Sequence, residues 1–429
     1  MPNRLVLVLS LLIASLAEAQ DFSTLKGHGG PIMNIAVSPE GQIATASFDN
    51  TVGLWTARGP EWLEGHEASV IAVAFGPAGQ LVSGGDDLSV RLWSGLESRV
   101  LGRHRGKVSS VAVAPNGAWV ASGSWDGRVI LWPLGDEGEG APITLPSPRA
   151  GVNAVAFSGD GTALFAATQG GELLVYDLDT MKAPTVLVRH GFGINKIVVT
   201  PDWIAYGAVD GGTRIVAKES GEQLADFTLD RRPILSMAYH EASGQLAVGD
   251  GHGYIMVLDT RSWRIERDFR ATRRGPVWAL AFSNDGAVIH AGGLDDLVYS
   301  WPVELLDEFD PAIGPERNFL RDVAAMPNGE RLFMGKCSIC HALTAGPSRK
   351  AGPTLNGVFD RRAGTVPGYR YSQTLDGSEI VWNEITIDAL FDVGPDHYIP
   401  GTKMPTQVIA KPDDRTDLIA FLRDATTTE

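Results

Sequence analysis

The sequence contains very little cysteine, with two residues in a chain of 429, at positions 337 and 340. Because both fall in one short motif, no pair remains for a structural disulfide. The chain also lacks an excess of positive charge, since its formal net charge is -15. Nucleic-acid binding needs a basic face, so this charge argues against that class of function. After residue 19 no apolar run is long enough to predict a transmembrane helix.

The usual signatures of catalysis are missing as well. The sequence contains no convincing pair of carboxylates, no nucleophile elbow and no phosphate-binding loop. The glycine-rich stretch Asp250-Gly251-His252-Gly253 is interpreted as a turn between strands, because no helix follows it as a dinucleotide-binding loop would require. These absences favour a binding or carrier function over an enzyme.

Residues 1–19 are predicted to form a secretory signal peptide. Arg4 supplies a positive charge, Leu5 to Leu16 is an apolar run, and Ala17-Glu18-Ala19 fits a cleavage site. No cysteine follows this site, so a lipid anchor is not expected there. We therefore expect an exported, soluble, periplasmic protein whose mature chain begins near Gln20.

The two cysteines belong to the motif Cys337-Ser338-Ile339-Cys340-His341. The spacing C-x-x-C-H is the attachment signal of a c-type haem, in which both thiols form thioethers and the histidine ligates the iron. A zinc site or a redox-active cysteine pair could share this short pattern. Zinc would need more ligands than the motif provides, and a thioredoxin-like pair would need a βαβ context that is absent.

A repeat of about 38 residues fills the first two thirds of the chain. In three repeats a histidine precedes an aspartate, and a tryptophan lies six residues after that aspartate. The three sets are His28, Asp49 and Trp55; His66, Asp87 and Trp93; and His104, Asp126 and Trp132. Short β-branched runs separated by Pro-x-Gly turns lie between these residues, which predicts strands joined by tight turns.

This pattern resembles the WD-repeat β-propeller family over residues 21–303. Seven repeats can be counted, which implies an all-β propeller of seven four-stranded blades over residues 20–303. The resemblance implies that Phe22 to Lys26 pairs with the last repeat and closes the ring. It also implies a structural network of histidine, serine, aspartate and tryptophan, with Ser47 and Ser124 as the serines and Gly85 replacing the serine of the second repeat. The other histidines of this region, at 190, 240, 252 and 290, have no ligand spacing.

An acidic and proline-containing linker is expected over residues 304–321, followed by a second domain over residues 322–429. This domain resembles a class I cytochrome c of the mitochondrial and bacterial periplasmic type, which is all-α. Besides the haem motif, the resemblance is carried by Gly352-Pro353, Tyr371-Ser372, Trp382 and the loop Tyr398 to Pro405.

The resemblance implies one covalent haem c, attached at Cys337 and Cys340 and ligated by His341 and Met404. The Pro353 segment would hold the second ring nitrogen of His341. The propionate side would be formed by Arg361, Tyr371, Ser372 and Trp382. A thioether ligand raises the reduction potential. Met334 and His397 are the competing ligands, although Met334 is expected to pack in the core.

Three functions are compatible with this architecture. The first is an exported one-electron carrier whose propeller docks a redox partner, and the alternative is an oxidoreductase whose propeller holds a second cofactor or substrate. The third is a signalling or assembly scaffold with a redox-sensing haem. Several basic residues lie in segments that, by the cytochrome c resemblance, border the haem edge, and they predict docking to an acidic partner or to the propeller itself. They are Lys336, Arg349, Lys350, Arg361, Arg362, Arg370, Lys403 and Lys411.

Overall fold

The computed structural model describes residues 23–135, 140–148, 150–228, 233–272, 275–306, 326–346 and 348–426. The predicted signal peptide and the greater part of the predicted linker lie outside these residues. Where the linker was expected to begin, Val303–Leu305 forms a short 3₁₀ helix, and Leu306 is buried against the last propeller blade.

The described residues contain seven four-stranded antiparallel sheets, as the WD-repeat resemblance predicts. The innermost strand of each sheet contacts the innermost strand of the next, and the last sheet contacts the first, so the sheets form a closed ring. Alternating apolar residues on each strand pack between neighbouring blades, as with Val82 and Val90 against Val108 and Val120. Full burial of a valine side chain contributes roughly 1.5–3 kcal/mol, so the ring is stabilised by contacts between blades.

Each of the first six blades is formed by four strands in chain order. In blades one to three these are β2 to β13: Ile32–Val37, Ile43–Ser47, Thr51–Thr56 and Gly59–Glu64; Val70–Phe75, Leu81–Gly85, Ser89–Ser94 and Glu97–Arg103; Val108–Val113, Trp119–Ser124, Val129–Pro133 and Ile143–Thr144. In blades four to six these are β14 to β25: Val152–Phe157, Ala163–Thr168, Glu172–Asp177 and Thr185–Arg189; Ile194–Val199, Trp203–Ala208, Thr213–Ala217 and Gln223–Asp226; Ile234–His240, Gln245–Asp250, Tyr254–Asp259 and Arg264–Arg270.

Blade seven closes the ring with strands from both ends of the propeller. Strands β26 to β28, Val277–Phe282, Val288–Gly293 and Leu297–Pro302, pair with β1, Ser23–Lys26. Ser23 lies opposite Ser300, and Lys26 lies opposite Leu297. The predicted closure is confirmed for the described residues, and it protects an edge that a lone last blade would expose.

A hydrogen-bond network fixes the turns of blade one. His28 donates from Nδ1 to Asp49 (2.8 Å). The Thr45 hydroxyl donates to His28 Nε2 (2.7 Å) and accepts from the indole N–H of Trp55 (2.9 Å). All the polar groups of this buried network are thereby paired, which avoids the cost of desolvating them. The histidine therefore has the structural role predicted for it.

The prediction of the hydroxyl residues in this network is wrong. In blades one and three the bonding hydroxyl lies two residues before the predicted serine. The hydroxyls that bond the histidines are those of Thr45, Ser83 and Ser122. Ser47 and Ser124 instead donate to the backbone carbonyls of Gly30 and Gly106, and the second repeat is complete despite Gly85. Side chains two residues apart on a strand point to the same face, so the sequence pattern alone did not separate the two positions.

A fourth histidine forms a similar pair that the sequence pattern did not predict. His190 Nε2 lies 3.1 Å from Asp210 Oδ1, and Arg214 Nη1 lies 3.1 Å from the other ring nitrogen. The sequence separation of 20 residues is close to the 21 residues that separate His28 from Asp49. This similar spacing could have indicated the pair in the sequence, although no tryptophan follows Asp210 in this repeat.

The described part of the C-terminal domain is helical, as predicted. Its four helices are Asn328–Lys336 (α1), Glu384–Val393 (α2), Pro395–Tyr398 (α3) and Pro412–Thr426 (α4). Helix α1 crosses α4 closely at Gly329, where an added Cβ would lie 2.8 Å from Phe421 Cβ. The buried Arg415 of α4 donates to Asp388 of α2 at 2.7 Å. These contacts hold the helices around one apolar cluster.

We predict that Asp87→Asn destabilises the propeller by about 1–3 kcal/mol, because it removes an ionised acceptor from a buried network. Burial would raise the pKa of Asp87, but hydrogen bonds from His66 and Ser89 outweigh it and hold the pKa well below its ordinary value. A lowered folded-state pKa gives stability that is present above about pH 4 and is lost as the pH falls further. The difference between wild type and variant should therefore shrink below about pH 4.

The measurement is the free energy of unfolding of the full chain, from urea titrations followed by tryptophan fluorescence at several pH values. The control is Glu241→Gln, whose side chain is exposed. A wild-type-to-variant difference that is constant between pH 7 and pH 3 would contradict the assignment of this stability to the ionised carboxylate.

Candidate functional site

The cysteine motif lies at the end of α1. The backbone N–H of Cys337 donates to Phe333, and the turn continues with His341 N–H donating to the Cys337 carbonyl at 2.9 Å. Cys337 is buried and Cys340 is half-buried, and neither is in a disulfide. The helical turn brings both thiols and the imidazole to the same cavity.

This cavity has a volume of about 390 Å³. All nine residues singled out from the sequence line it: Cys337, Cys340, His341, Pro353, Arg361, Tyr371, Ser372, Trp382 and Met404. The competing ligands are not among its lining residues. Met334 packs against the apolar cluster of the domain, and the side chain of His397 is 76% exposed.

A hydrogen bond to the backbone fixes the orientation of the His341 ring. Its Nδ1 donates to the carbonyl oxygen of Pro353 at 2.8 Å, which leaves Nε2 as the nitrogen with a free lone pair. Burial lowers the pKa of His341, the hydrogen bond to Pro353 opposes this shift, and the positive charges of Lys350 and Arg361 add to it. The imidazole is therefore neutral near pH 7, which is the form that ligates a metal.

Backbone packing supports this orientation at Gly352. A Cβ at this position would lie 2.5 Å from His341 Cε1 and 2.9 Å from Nε2. Such distances are far shorter than a van der Waals contact, so the histidine ring and the segment before Pro353 can approach only because residue 352 has no side chain.

Met404 lies in a loop that is held at several points. Thr374 donates its hydroxyl to the Pro400 carbonyl at 2.8 Å, and the Thr402 N–H donates to the Ile399 carbonyl at 3.0 Å. The Met404 side chain is half-buried and packs against the apolar cluster of the domain. The loop thus presents a thioether to the cavity from a restrained backbone.

Polar groups at the cavity are partly unpaired. Among the described residues, Ser372 Oγ and Gln407 Oε1 are buried without a hydrogen-bond partner, and both residues line the cavity. Arg361 donates to the carbonyls of Asn356 (2.7 Å) and Thr354 (2.8 Å), and the Tyr371 hydroxyl accepts from the Val366 N–H at 3.3 Å. A buried hydroxyl without a partner is costly, so Ser372 fits a site that receives a polar group.

The donor set fits a haem better than a metal ion alone. Burial raises the pKa of Cys337 to about 12 and also raises the pKa of Cys340, so both side chains are neutral thiols near pH 7. No group of three or more His, Cys, Asp or Glu side chains that could hold a metal ion occurs in the described residues. Two thiols, a neutral imidazole, a thioether and apolar walls are the groups that a c-type haem requires.

The propeller contributes to the same cavity, which the sequence left open. Its lining includes Phe48, Asn50, Glu67, Ala68, Ser69 and Asp86 from blades one and two. Tyr369 and Gln407 of the cytochrome domain also line the cavity and were not predicted from the sequence. Gln407 lies three residues after Met404 and could have been suspected from that position, whereas no sequence signal marked the propeller residues.

In the part of the chain that the structure describes, no helix combines the length and the apolar character needed to cross a membrane.

We predict that Gly352→Ala destabilises the C-terminal domain by about 1–3 kcal/mol, since the new methyl group must displace the His341 ring or the backbone. The matched control is Gly335→Ala, where an added Cβ has no atom within 4 Å and alanine favours the helix. The measurement is chemical unfolding of the full chain followed by haem absorbance. Equal stability of the two variants would contradict the close packing at residue 352.

Comparison with known proteins agrees with this geometry. The family model "Cytochrome c" matches residues 326–426, and the model "WD domain, G-beta repeat" matches residues 20–56, 61–94, 95–133 and 264–302. The chain is 46% identical to cytochrome c of Sesamum indicum over 101 residues, which is 23% of this chain and 88% of that protein. It is 45% identical to cytochrome c of Cochliobolus lunatus over 100 residues, which is 23% of this chain and 90% of that protein. The chain therefore belongs to the cytochrome c family, through a C-terminal domain with covalently attached haem c that follows a WD-repeat propeller.

Proposed function

We propose that the protein is an exported electron carrier with one covalent haem, ligated by His341 and Met404, and with the propeller as docking platform for a redox partner. Electron transfer through haem follows from the cytochrome c domain. The proposal adds the ligand pair, the export and the docking role to this electron-transfer function.

The observation that carries the proposal is the fixed direction of His341. Its Nδ1 is engaged by Pro353, its Nε2 is free, and Met404 lines the same cavity. An electron carrier needs ligands that stay in place in both oxidation states, because little reorganisation then accompanies transfer. A restrained imidazole and a restrained thioether meet that requirement.

Different residues of the site would have different roles in holding the haem. Cys337 and Cys340 would hold the haem by thioethers, and bound haem c would supply a one-electron couple. The apolar walls, such as Leu390 and Phe391, would exclude water. The polar side would be formed by Arg361, Tyr371, Ser372 and Trp382, with the Ser372 hydroxyl available to donate to a propionate.

The docking role rests on the propeller, a fold that commonly mediates protein interactions. The acidic chain carries basic residues around the haem cavity, such as Lys336 and Lys403. An acidic surface on a partner would be attracted to these residues, and this attraction would speed association at low salt.

Export can be tested separately. Expression of the full chain in a bacterium that attaches haem in the periplasm should yield a mature protein that begins at Gln20, as measured by mass spectrometry of the periplasmic fraction. Deletion of residues 1–19 should leave the protein in the cytoplasm without covalent haem. Haem attachment in that deletion variant would argue against the signal-peptide assignment.

We predict that Met404→Leu lowers the haem reduction potential, because a thioether ligand that favours ferrous iron is lost. Axial ligands set haem potentials over roughly 0.8 V, so the shift should be readily measured by redox titration. The absorption spectrum should change with it, since the iron loses one strong ligand.

The matched control is Met334→Leu, which removes a methionine that packs in the same domain but does not line the cavity. Its potential and spectrum should stay those of the wild type. If Met334→Leu shifts the potential and Met404→Leu does not, the ligand assignment is wrong.

A further inference from the structure

Blade one of the propeller contacts the cytochrome domain beside the haem cavity. The guanidinium carbon of Arg349 lies 4.3 Å from the centre of the Trp62 ring, and its Nη1 lies 3.5 Å from Glu64 Oε1. Arginine above the face of tryptophan is a favourable cation–π pair. The ion pair is partly exposed and adds less, so Trp62 is the more important partner.

Trp62 is held in position by the propeller itself. Its ring centre lies 4.6 Å from that of His28 and 5.8 Å from that of Trp55, both in edge-on arrangements. The hydrogen-bond network of blade one fixes these two residues. The aromatic face that receives Arg349 is therefore a rigid part of the propeller.

At Gly29 the propeller backbone lies very close to the backbone of the cytochrome domain. An added Cβ would lie 2.7 Å from the Lys350 backbone nitrogen and still closer to the Arg349 carbonyl group. Glu67 and Arg105 occupy the same place in blades two and three, and in all three blades the N–H donates to the repeat aspartate. Gly29 does not have a positive φ. The propeller thus accepts a side chain at this place, and the glycine makes room for the cytochrome domain.

Charge is complementary at the contact. Burial lowers the pKa of Lys350, while the carboxylates of Asp296 and Asp49 oppose this shift. Both carboxylates belong to turns of the propeller. The positively charged Lys350 of the cytochrome domain therefore faces negatively charged turns of the propeller.

The contact places propeller residues across the haem cavity. Phe48 and Asn50 of blade one, and Glu67 and Asp86 of blade two, line the cavity together with Cys337 and its neighbours. While the two domains are in contact, propeller residues occupy this side of the cavity, and a protein partner could not reach the cavity there.

We propose that blades one and two are a docking surface for the cytochrome domain of the same chain, and that this contact covers the haem cavity and must open before a protein partner exchanges electrons. The proposal rests on the electron-transfer function proposed above. In the exchange one electron leaves the reduced haem and reduces one oxidant molecule, with no bond made or broken.

The test uses the intact, haem-loaded chain with Gly29→Ala, which inserts a methyl group into the contact and nowhere else. The control is Gly159→Ala, where an added Cβ has no atom within 4 Å. Hydrogen–deuterium exchange is measured for peptides around Lys350. The reduced protein is then oxidised by ferricyanide and, separately, by a small blue copper protein.

In Gly29→Ala we expect faster deuterium uptake around Lys350. We also expect the ratio of the copper-protein rate to the ferricyanide rate to rise at least about fivefold, since overpacking disfavours the closed form. Gly159→Ala should behave as wild type. Unchanged uptake and an unchanged ratio in Gly29→Ala would overturn the docking surface.

A second pair of variants guards against misfolding of the first. Arg349→Glu removes the cation–π contact and places like charges beside Glu64, whereas Arg331→Glu makes the same charge change on an exposed part of α1. The rate ratio should rise in the first variant and not in the second, and equal ratios would count against the proposal. Failure of ferricyanide to oxidise even the wild type would instead refute the carrier function, and the deuterium uptake would still decide the docking surface.

Discussion

The hydrogen bond from His341 Nδ1 to the Pro353 carbonyl is the contact on which the site depends. It determines which imidazole nitrogen is free at the cavity, and it is possible only because Gly352 lets the chain pass close to the ring. The position of the histidine follows in turn from α1, which ends at Lys336 and continues as a turn through the cysteines. Cofactor attachment, ligand orientation and domain packing are therefore linked through one short stretch of backbone.

In the propeller, too, hydrogen bonds to a buried histidine fix the local structure. Each of the first three repeats buries a histidine between an aspartate and a hydroxyl, and so pairs polar groups that would otherwise destabilise the ring. In blade one this network also fixes Trp62, which faces Arg349 of the cytochrome domain. A structural feature of one domain thereby becomes part of the surface that meets the other.

Much of this architecture could be predicted from sequence, because repeats and the haem motif are local patterns. The repeat count and the WD-repeat resemblance predicted seven blades, and all nine site residues implied by the haem motif and the cytochrome c resemblance line the observed cavity. Ser47 was predicted where Thr45 bonds the histidine, and the two residues lie on the same face of a strand. The role of Gly29 could not be found at all, since it depends on a contact with a residue 320 positions away. Contacts between domains leave no periodic signal in the chain.

The most direct test of the account is a cofactor count on the purified full-length protein. Protein mass, iron content and oxidised and reduced absorption spectra should together give one covalent haem per chain, and redox titration should give a single one-electron step. A second chromophore or metal released on denaturation would contradict the carrier interpretation and make the propeller a candidate active site. A chain without covalent haem, made in cells that attach it, would contradict the assignment of the cavity itself.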